Sequence, residues 1–310
     1  MSLMWKSRSA LELELVIIEK MKKVNNMIKC IASDMDGTLL NSVQQISEEN
    51  KQAILKAQAE GIEFVVATGR SYQEATYVLS EAGLSCPVIC VNGAEVRSQE
   101  GDVLSSTPIS KQLARAVAAK LSEHDVYYEV YTDKGAYTLD PEKAVSILVD
   151  IVVSANPEMD PEEIRHAAGA RIRDGLIHQT EDYELLFADE NYQIYKVLAF
   201  CFDRSKLKAA GADLGDFSNL DITSSGHENL EITNKQAQKG LALEAFAKAK
   251  GIEMAETMAI GDNLNDVSMF ERAGRSVAMG NASYEIKALC DVITDTNDEH
   301  GVAQAILEVL

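Results

Sequence analysis

The sequence has no apolar run long enough to span a membrane, and positive charge is scarce in it. The 29 Lys and Arg residues are outnumbered by 49 Asp and Glu, which gives a formal net charge of −20 at pH 7. Binding to nucleic acid or to an anionic membrane relies on a broad excess of positive charge, so neither is expected as a partner. An anionic substrate must therefore meet local positive charge.

Cysteine is scarce as well. The five cysteines are odd in number, scattered and mostly set among apolar residues: Cys30, Cys86, Cys90, Cys201 and Cys290. Such a set predicts neither a disulfide framework nor a zinc site. A reducing, cytoplasmic location is therefore expected.

The start of the chain lacks the order of a signal peptide, in which basic residues precede an apolar stretch. Acidic residues interrupt its most apolar segment, residues 11–18, and Met27 stands directly before a strand-like segment. We predict that residues 1–26 are an N-terminal extension outside the fold.

From Met27 onward, short apolar runs alternate with amphipathic stretches, the pattern of a parallel sheet with crossover helices. The pattern occurs near both ends of the chain. It predicts strands at 28–33, 62–67, 87–91, 258–260 and 276–279, and helices at 47–61, 72–82, 240–250, 265–273 and from about 301. Both ends thus belong to one α/β layer.

The middle of the chain has a different pattern. Tyr127–Thr132 and Gln193–Phe200 have the composition of half-exposed strands, and helices such as Lys111–Glu123 lie between strands. We predict an inserted α+β domain at 97–229, between the two core segments 27–96 and 230–310.

Asp34-Met35-Asp36-Gly37-Thr38 follows the first predicted strand immediately. Open α/β sheets bind ligands at the carboxyl ends of their strands, so both carboxylates are expected there. Alternation along an extended chain puts Asp34 and Asp36 on one side, where one can attack and the other can handle a proton. Gly37 lets the chain turn away without a side chain in the site. Alone, however, an Asp-x-Asp pair is more often a solvated turn.

Two further segments offer groups that suit an anion. Thr68-Gly69-Arg70 ends the second predicted strand with a hydroxyl, a backbone N–H and a guanidinium, although a helix cap with a solvated arginine is an equally good interpretation. Lys239 precedes a helix of apolar spacing, where a cation is disfavoured unless an anion binds at the same place. A solvated surface lysine is the commoner role, and Lys235 is the nearby competitor.

The segment 261–266 follows a predicted strand and opens a helix. Asp262 and Asp266 are four residues apart and would lie on one helical face, where like charges repel. A divalent cation would relieve this repulsion, and oxygen ligands indicate a hard ion such as Mg²⁺. An Asx-rich helix cap accounts for Asp262 or Asn265 alone, but poorly for the whole cluster.

Together the four segments suit phosphoryl transfer to a carboxylate. Asp34 would attack phosphorus, and Asp36 would protonate the leaving oxygen and then activate water.

The motifs, in this order, resemble those of the haloacid dehalogenase superfamily, and within it the Cof-type phosphatases with a large inserted cap. Cys90-Val91-Asn92-Gly93-Ala94 and His300-Gly301-Val302 extend the resemblance, which runs from Met27 to Leu310. It implies a Rossmann-like parallel-sheet core with an α+β cap, and a magnesium-dependent phosphatase.

The resemblance also implies roles for individual residues. Asp34 would be nucleophile and Mg²⁺ ligand, Asp36 the acid/base and a ligand through its carbonyl, and Asp262 a further ligand. Phosphate would be bound by the backbone of Met35 and by Thr68, Gly69, Lys239 and Asn265, with Asp266, Arg70, Asn92 and Gly93 in support. The chain departs from the family in its N-terminal extension and in the lack of a proline before Lys239, which keeps Lys235 as an alternative.

The expected substrate is a small phosphorylated metabolite, such as a sugar phosphate or a nucleotide- or flavin-related phosphate. A phosphomutase, or a phospholigand-binding protein with little turnover, is the alternative. The cap would choose the substrate, although solvated or structural roles are more common for its candidate residues. They are Glu129, Tyr131, Arg171, Arg173, His178, His227 and Glu228.

Overall fold

The protein is described from a computed structural model, and the description is of residues 27–155, 159–224 and 227–310. The predicted extension at 1–26 lies outside the described residues. The strands within these ranges are β1 Cys30–Ser33, β2 Glu63–Ala67, β3 Val88–Cys90, β4 Glu95–Arg97, β5 Val103–Ser106, β6 Tyr127–Thr132, β7 Gly135–Thr138, β8 Ile177–Gln179, β9 Ile194–Phe200, β10 Leu220–Thr223, β11 Asn229–Asn234, β12 Thr257–Gly261, β13 Arg275–Ala278 and β14 Val292–Ile293.

The α-helices of the same ranges are α1 Glu48–Ala59, α2 Tyr72–Glu81, α3 Lys111–Glu123, α4 Pro141–Ala155, α5 Pro161–Arg173, α6 Glu184–Ala188, α7 Arg204–Leu214, α8 Lys239–Ala249, α9 Val267–Phe270, α10 Tyr284–Leu289 and α11 Gly301–Leu307. None of these helices, within the part of the chain that is described, has both the length and the apolar character required to cross a membrane.

The chain divides into two compact units, with boundaries between Val65 and Val66 and between Leu243 and Glu244. One boundary falls inside β2 and the other inside α8. The predicted core limits, 27–96 and 230–310, differ from these units, and residue 230 falls inside β11. These two units do not test the predicted limits of the core and the inserted domain, which stay a prediction.

The first unit contains strands in the order β14-β13-β12-β1-β2. β1 and β12 are parallel, with Cys30 opposite Thr257 and Ser33 opposite Ile260, and both strands are buried along their whole length. Strands buried on both faces read as continuous apolar runs, which is why the sequence revealed them. The register sets the carboxyl ends of β1 and β12 side by side, so the residues after Ser33 and after Gly261 meet.

In the second unit β3 pairs in parallel with the end of β2, and β4 and β5 follow as antiparallel neighbours. This unit also has a six-stranded sheet in the order β10-β11-β9-β6-β7-β8. The prediction that residues 127–132 and 193–200 are half-exposed is wrong, since β6 and β9 are mostly buried. They are the central strands of this sheet, and α3 and α7 contribute to the apolar core against them.

Helix starts agree with the sequence where a capping side chain is present. Ser47 accepts a hydrogen bond from the Asn50 N–H at the start of α1, and Ser110 accepts one from the Leu113 N–H at the start of α3. The helix predicted at 265–273 is shorter, because a 3₁₀ turn at Leu264–Asp266 precedes α9.

Candidate active site

The first unit brings three carboxylates together at the carboxyl ends of β1 and β12. Asp34, Asp262 and Asp266 each offer an oxygen, and these oxygens lie within 4.8 Å of one another. Asp34 and Asp266 are buried and Asp262 is partly exposed. Charges of one sign repel strongly where solvent is limited, and carboxylate oxygens are the ligands that a hard cation prefers. The donor set therefore fits the predicted Mg²⁺.

Asp266 is held in place by the local backbone. Its Oδ2 accepts hydrogen bonds from the N–H groups of Asp262 at 3.0 Å and Asn263 at 3.1 Å, as in a capping box. A Cβ at Gly261 would collide with the Asp266 carboxylate. The helix-cap interpretation is thus realised here by Asn263 and Asp266, and it coexists with the carboxylate cluster.

Thr38 orients Asp262, a role that the sequence analysis missed. Its Oγ1 donates a hydrogen bond to Asp262 Oδ1 at 2.8 Å. Gly37 has φ +74°, and a Cβ there would lie 2.6 Å from Asp262 Oδ2. The only signal in the sequence was that Thr38 completes the pentapeptide, from which the carboxylates and the glycine alone received roles.

Asp36 differs from Asp34 in its surroundings. Asp34 is 5% exposed, whereas Asp36 is exposed in the turn Met35–Leu39. The cluster of three carboxylates contains Asp266 rather than Asp36. The resemblance implied a metal contact through the backbone carbonyl of Asp36. A cluster of side-chain carboxylates does not test that contact, so this role of Asp36 stays a prediction.

The second unit brings the predicted Thr68-Gly69-Arg70 segment next to Asn92. The Asn92 N–H donates to the Thr68 carbonyl and the Val91 N–H to the Arg70 carbonyl, each at 2.9 Å. A Cβ at Gly69 would lie 3.1 Å from Asn92 Oδ1, a tight contact. The turns after β2 and β3 are therefore one packed structure.

Lys239 begins α8 close to the same turns. Gly93, with φ +98°, leaves no room for a side chain, because a Cβ there would lie 2.5 Å from the carbonyl oxygen of Gln238. Lys239 is fully buried, whereas Lys235 is exposed. A buried ammonium group requires compensating partners, which favours Lys239 over Lys235 as the functional lysine.

Two charged residues that the sequence analysis missed contact these turns. Lys196 Nζ donates to the Gly69 carbonyl at 2.9 Å, and Asn92 Nδ2 donates to Glu231 Oε2 at 3.0 Å. Lys196 is 4% exposed and lies 3.5 Å from Glu231. A lone lysine inside the apolar run 194–200 was the available signal.

The candidate cap residues have different surroundings. Glu129 and Tyr131 are buried, and Arg171 forms an ion pair with Glu74 of α2. Arg173 is exposed and donates to the His166 carbonyl. His178 packs against the Tyr137 ring, His227 is exposed and Glu228 is partly buried.

Residues 31–306 match the family model described as haloacid dehalogenase-like hydrolase. Phosphatase YwpJ of Bacillus subtilis (strain 168) is 39% identical over 285 residues, 91% of this chain and 100% of that protein. The 5-amino-6-(5-phospho-D-ribitylamino)uracil phosphatase YwtE of the same organism is 38% identical over 284 residues, 91% of this chain and 98% of that protein. The solved structure of a haloacid dehalogenase-like hydrolase from B. subtilis matches with a TM-score of 0.82 and 39% identity, over 91% of this chain and 100% of that one.

Proposed function

The chain belongs to the haloacid dehalogenase-like hydrolases and is a phosphatase of small phosphorylated compounds, and we propose that it hydrolyses phosphomonoesters with Mg²⁺ through a covalent intermediate on Asp34. The observation that carries the proposal is the carboxylate cluster of Asp34, Asp262 and Asp266, whose oxygens lie within 4.8 Å of one another at the ends of two parallel strands.

The proposed reaction has two steps. A carboxylate oxygen of Asp34 attacks phosphorus while the bond from phosphorus to the leaving oxygen breaks, and Asp36 gives that oxygen a proton. Asp36 then takes a proton from water, the water oxygen attacks phosphorus, and the bond from Asp34 to phosphorus breaks to release inorganic phosphate. The exposed position of Asp36 supports this exchange of protons with water.

The chain supplies ligands that would hold Mg²⁺: the carboxylates of Asp34 and Asp262 and the carbonyl of Asp36. When bound, the ion supplies positive charge opposite the phosphate oxygens. Thr38 orients the Asp262 carboxylate, and the neighbouring Asp266, which would support the metal site, is fixed by two backbone N–H groups, so the chain itself holds both carboxylates in place.

Phosphate is proposed to bind to the Met35 backbone, Thr68, Gly69, Lys239 and Asn265. The burial of Lys239 and the packing of Thr68 and Gly69 against Asn92 support these roles within the second unit. The organic part of the substrate is proposed to be small, such as a sugar or a nucleotide- or flavin-related group. The name of YwtE, a phosphatase of a ribitylamino-uracil phosphate, supports the second class.

A panel of phosphomonoesters, assayed with and without added Mg²⁺, tests this proposal. Asp34→Asn should abolish release of inorganic phosphate, and Asp102→Asn, at an exposed site of the second unit, should leave it unchanged. Turnover by the Asp34→Asn variant would show that Asp34 is not the nucleophile. Equal rates of phosphate release before and after chelation of Mg²⁺ would show that the reaction does not require the ion. Conversion to an isomeric phosphate ester without phosphate release would favour the phosphomutase, and tight ligand binding without turnover would favour the binding protein.

A further inference from the structure

One face of the six-stranded sheet reaches the turns after β2 and β3. Tyr131, Lys196 and Thr233 are opposite one another on β6, β9 and β11, and Lys196 of this row donates to the Gly69 carbonyl. Cross-strand neighbours share one face of a sheet. This face is therefore next to the turn that is predicted to bind phosphate.

The next row on the same face is Glu129, Leu198 and Glu231, in which two carboxylates flank a leucine. Successive rows on one face are two residues apart along each strand. Glu231 also accepts the hydrogen bond of Asn92, so this row begins at the turn after β3.

A cavity of about 260 Å³ lies over the row. We call it the cap pocket. Its apolar side is formed by α4, through Ala144, Ile147 and Ile151, together with Leu198 and Phe200 of β9. The volume is just below the range of roughly 300–1,000 Å³ typical of ligand sites, so it suits a group about the size of one ring with a short substituent.

The polar side of the cap pocket is rich in hydrogen-bond acceptors. Glu129, Glu228 and Glu231 line it, and Arg171, the cationic residue among its described lining residues, is held by Glu74. Outside the lining, Lys196 lies 3.5 Å from Glu231 and Arg204 lies 3.6 Å from Glu228, so four carboxylates face three cations. Burial raises the pKa of Glu129 and outweighs the nearby Arg171 guanidinium, which acts to lower it. A donor on a ligand would offset the cost of keeping the buried Glu129 carboxylate ionised, and a second anion would increase that cost.

We propose that the cap pocket binds the organic part of the phosphomonoester, and that it selects groups with an apolar ring and an amine or hydroxyl donor over groups with a second negative charge. This proposal rests on the proposed phosphatase function, because the pocket lies beside a turn whose phosphate-binding role is itself proposed.

Three phosphate esters that share one ring test the selection. The phenolic phosphates of tyramine, tyrosol and 4-hydroxyphenylacetate differ only in whether the side chain ends in an amine, a hydroxyl or a carboxylate. We expect kcat/KM for the first two to exceed that for the third by at least ~10-fold, since like charges at a binding surface are strongly disfavoured. Equal rates, or a preference for the carboxylate, would overturn the proposal.

Glu129→Gln and Glu228→Gln each remove one charge with little change in volume. We expect each to lower the amine-to-carboxylate ratio by about tenfold, a change of ~1.4 kcal/mol. Glu181→Gln, at an exposed site outside the cap pocket, should preserve it. Ile147→Trp, which adds bulk to the pocket and keeps every carboxylate, should lower the activity toward all three esters relative to acetyl phosphate. The proposal would be contradicted if the glutamine variants kept the amine-to-carboxylate ratio of the wild type and Ile147→Trp kept its ester activity relative to acetyl phosphate.

Two controls separate this inference from the proposed function. Acetyl phosphate has no group that fills the cap pocket, so wild-type turnover of it with equal rates for the three esters would contradict the cap-pocket proposal alone. Calorimetry with the phosphate-free compounds does not depend on turnover. Tyramine should bind the full chain at least ~10-fold more tightly than 4-hydroxyphenylacetate, and the reverse order would refute the cap-pocket selectivity even in an inactive protein.

Discussion

Asn281 Nδ2 donates a hydrogen bond to the Gly37 carbonyl oxygen at 2.8 Å. The Asn281 side chain in turn accepts from the Asn297 N–H at 3.0 Å, and Asn297 Nδ2 donates to the Leu40 carbonyl at 2.9 Å. The turn that follows the proposed nucleophile is therefore held at two of its carbonyl groups by side chains from the loops after β13 and β14.

Asn281→Ala should reduce kcat about tenfold. Without the donor, the peptide after Gly37 can rotate, and small displacements of a catalytic group are costly. Steady-state kinetics on one phosphomonoester would measure the loss, and a melting temperature within a few degrees of wild type would separate it from unfolding. Asn191→Ala, at an exposed turn of the second unit, is the control. An unchanged kcat in Asn281→Ala would contradict the role.

Thr38→Val should raise the Mg²⁺ concentration that gives half-maximal activity by about tenfold. Valine has the shape of threonine but cannot donate to Asp262 Oδ1, so the carboxylate loses the contact that orients it. A Mg²⁺ titration of activity would measure the shift. Thr38→Ser, which keeps the hydroxyl donor, should show the Mg²⁺ requirement of the wild type. If Thr38→Val and wild type require the same Mg²⁺ concentration, Thr38 does not orient the ligand.

Gly37→Ala should lower activity about 100-fold, because a side chain there would collide with the Asp262 carboxylate. Gly61 provides a matched control, since it has φ +84° and a Cβ would meet nothing within 4 Å. Both substitutions should cost about 1 kcal/mol of stability through left-handed backbone strain. Only Gly37→Ala should lose turnover, and equal activity of the two variants would contradict the role of the Gly37 contact.

Arg171→Met should destabilise the protein at pH 7 by roughly 2 kcal/mol, because it leaves the buried Glu74 carboxylate without its cationic partner. Burial acts to raise the pKa of Glu74, but Arg171 and the Ser71 hydrogen bonds outweigh it, and the pKa lies below the ordinary 4.5. Glu74 thus contributes stability above its unfolded pKa, and this contribution is lost as the pH falls through the lower folded pKa.

Urea unfolding at pH 7 and pH 3 would measure this effect. The difference in unfolding free energy between wild type and Arg171→Met should be smaller at pH 3 than at pH 7, because protonation of Glu74 at lower pH removes the charge that Arg171 compensates. Arg165→Met, at an exposed position of the same helix, should show little difference at either pH. A gap that is constant with pH would assign the loss to packing of the arginine rather than to its charge.

The α/β core with an α+β cap was predictable because buried parallel strands leave continuous apolar runs and helix starts leave capping residues. Residues 30–33 and 257–261 illustrate the first signal, and Ser47 illustrates the second. The family was likewise predictable from the motifs around Asp34 and Asp262, and the comparisons confirm it. Asp34 and Asp262 stand directly after the ends of strands, so their position is a local property of the chain.

The rest depends on contacts between distant segments. Asn281 and Thr38 act on residues 244 and 224 positions away, and Lys196 reaches Gly69 over 127 positions. No local pattern marks such a partner. The burial of β6 and β9 was misjudged for the same reason, since their tyrosines and charged residues are typical of exposed strands until the neighbouring strands are known. The cytoplasmic location and the individual catalytic roles stay predictions.

Glu74 accepts hydrogen bonds from the backbone and side chain of Ser71 on one oxygen, and its other oxygen binds Arg171. The Glu74 carboxylate thus caps the start of α2, which follows the predicted phosphate-binding turn, and also forms an ion pair with Arg171 of α5. Its evolution is therefore constrained from two directions. A change at position 171 leaves a charge that the helix start still requires, and a change at position 74 removes both contacts together. In diverging descendants of this chain, the two positions should be replaced as a pair, with a neutral helix-capping residue at 74 accompanying loss of the arginine at 171.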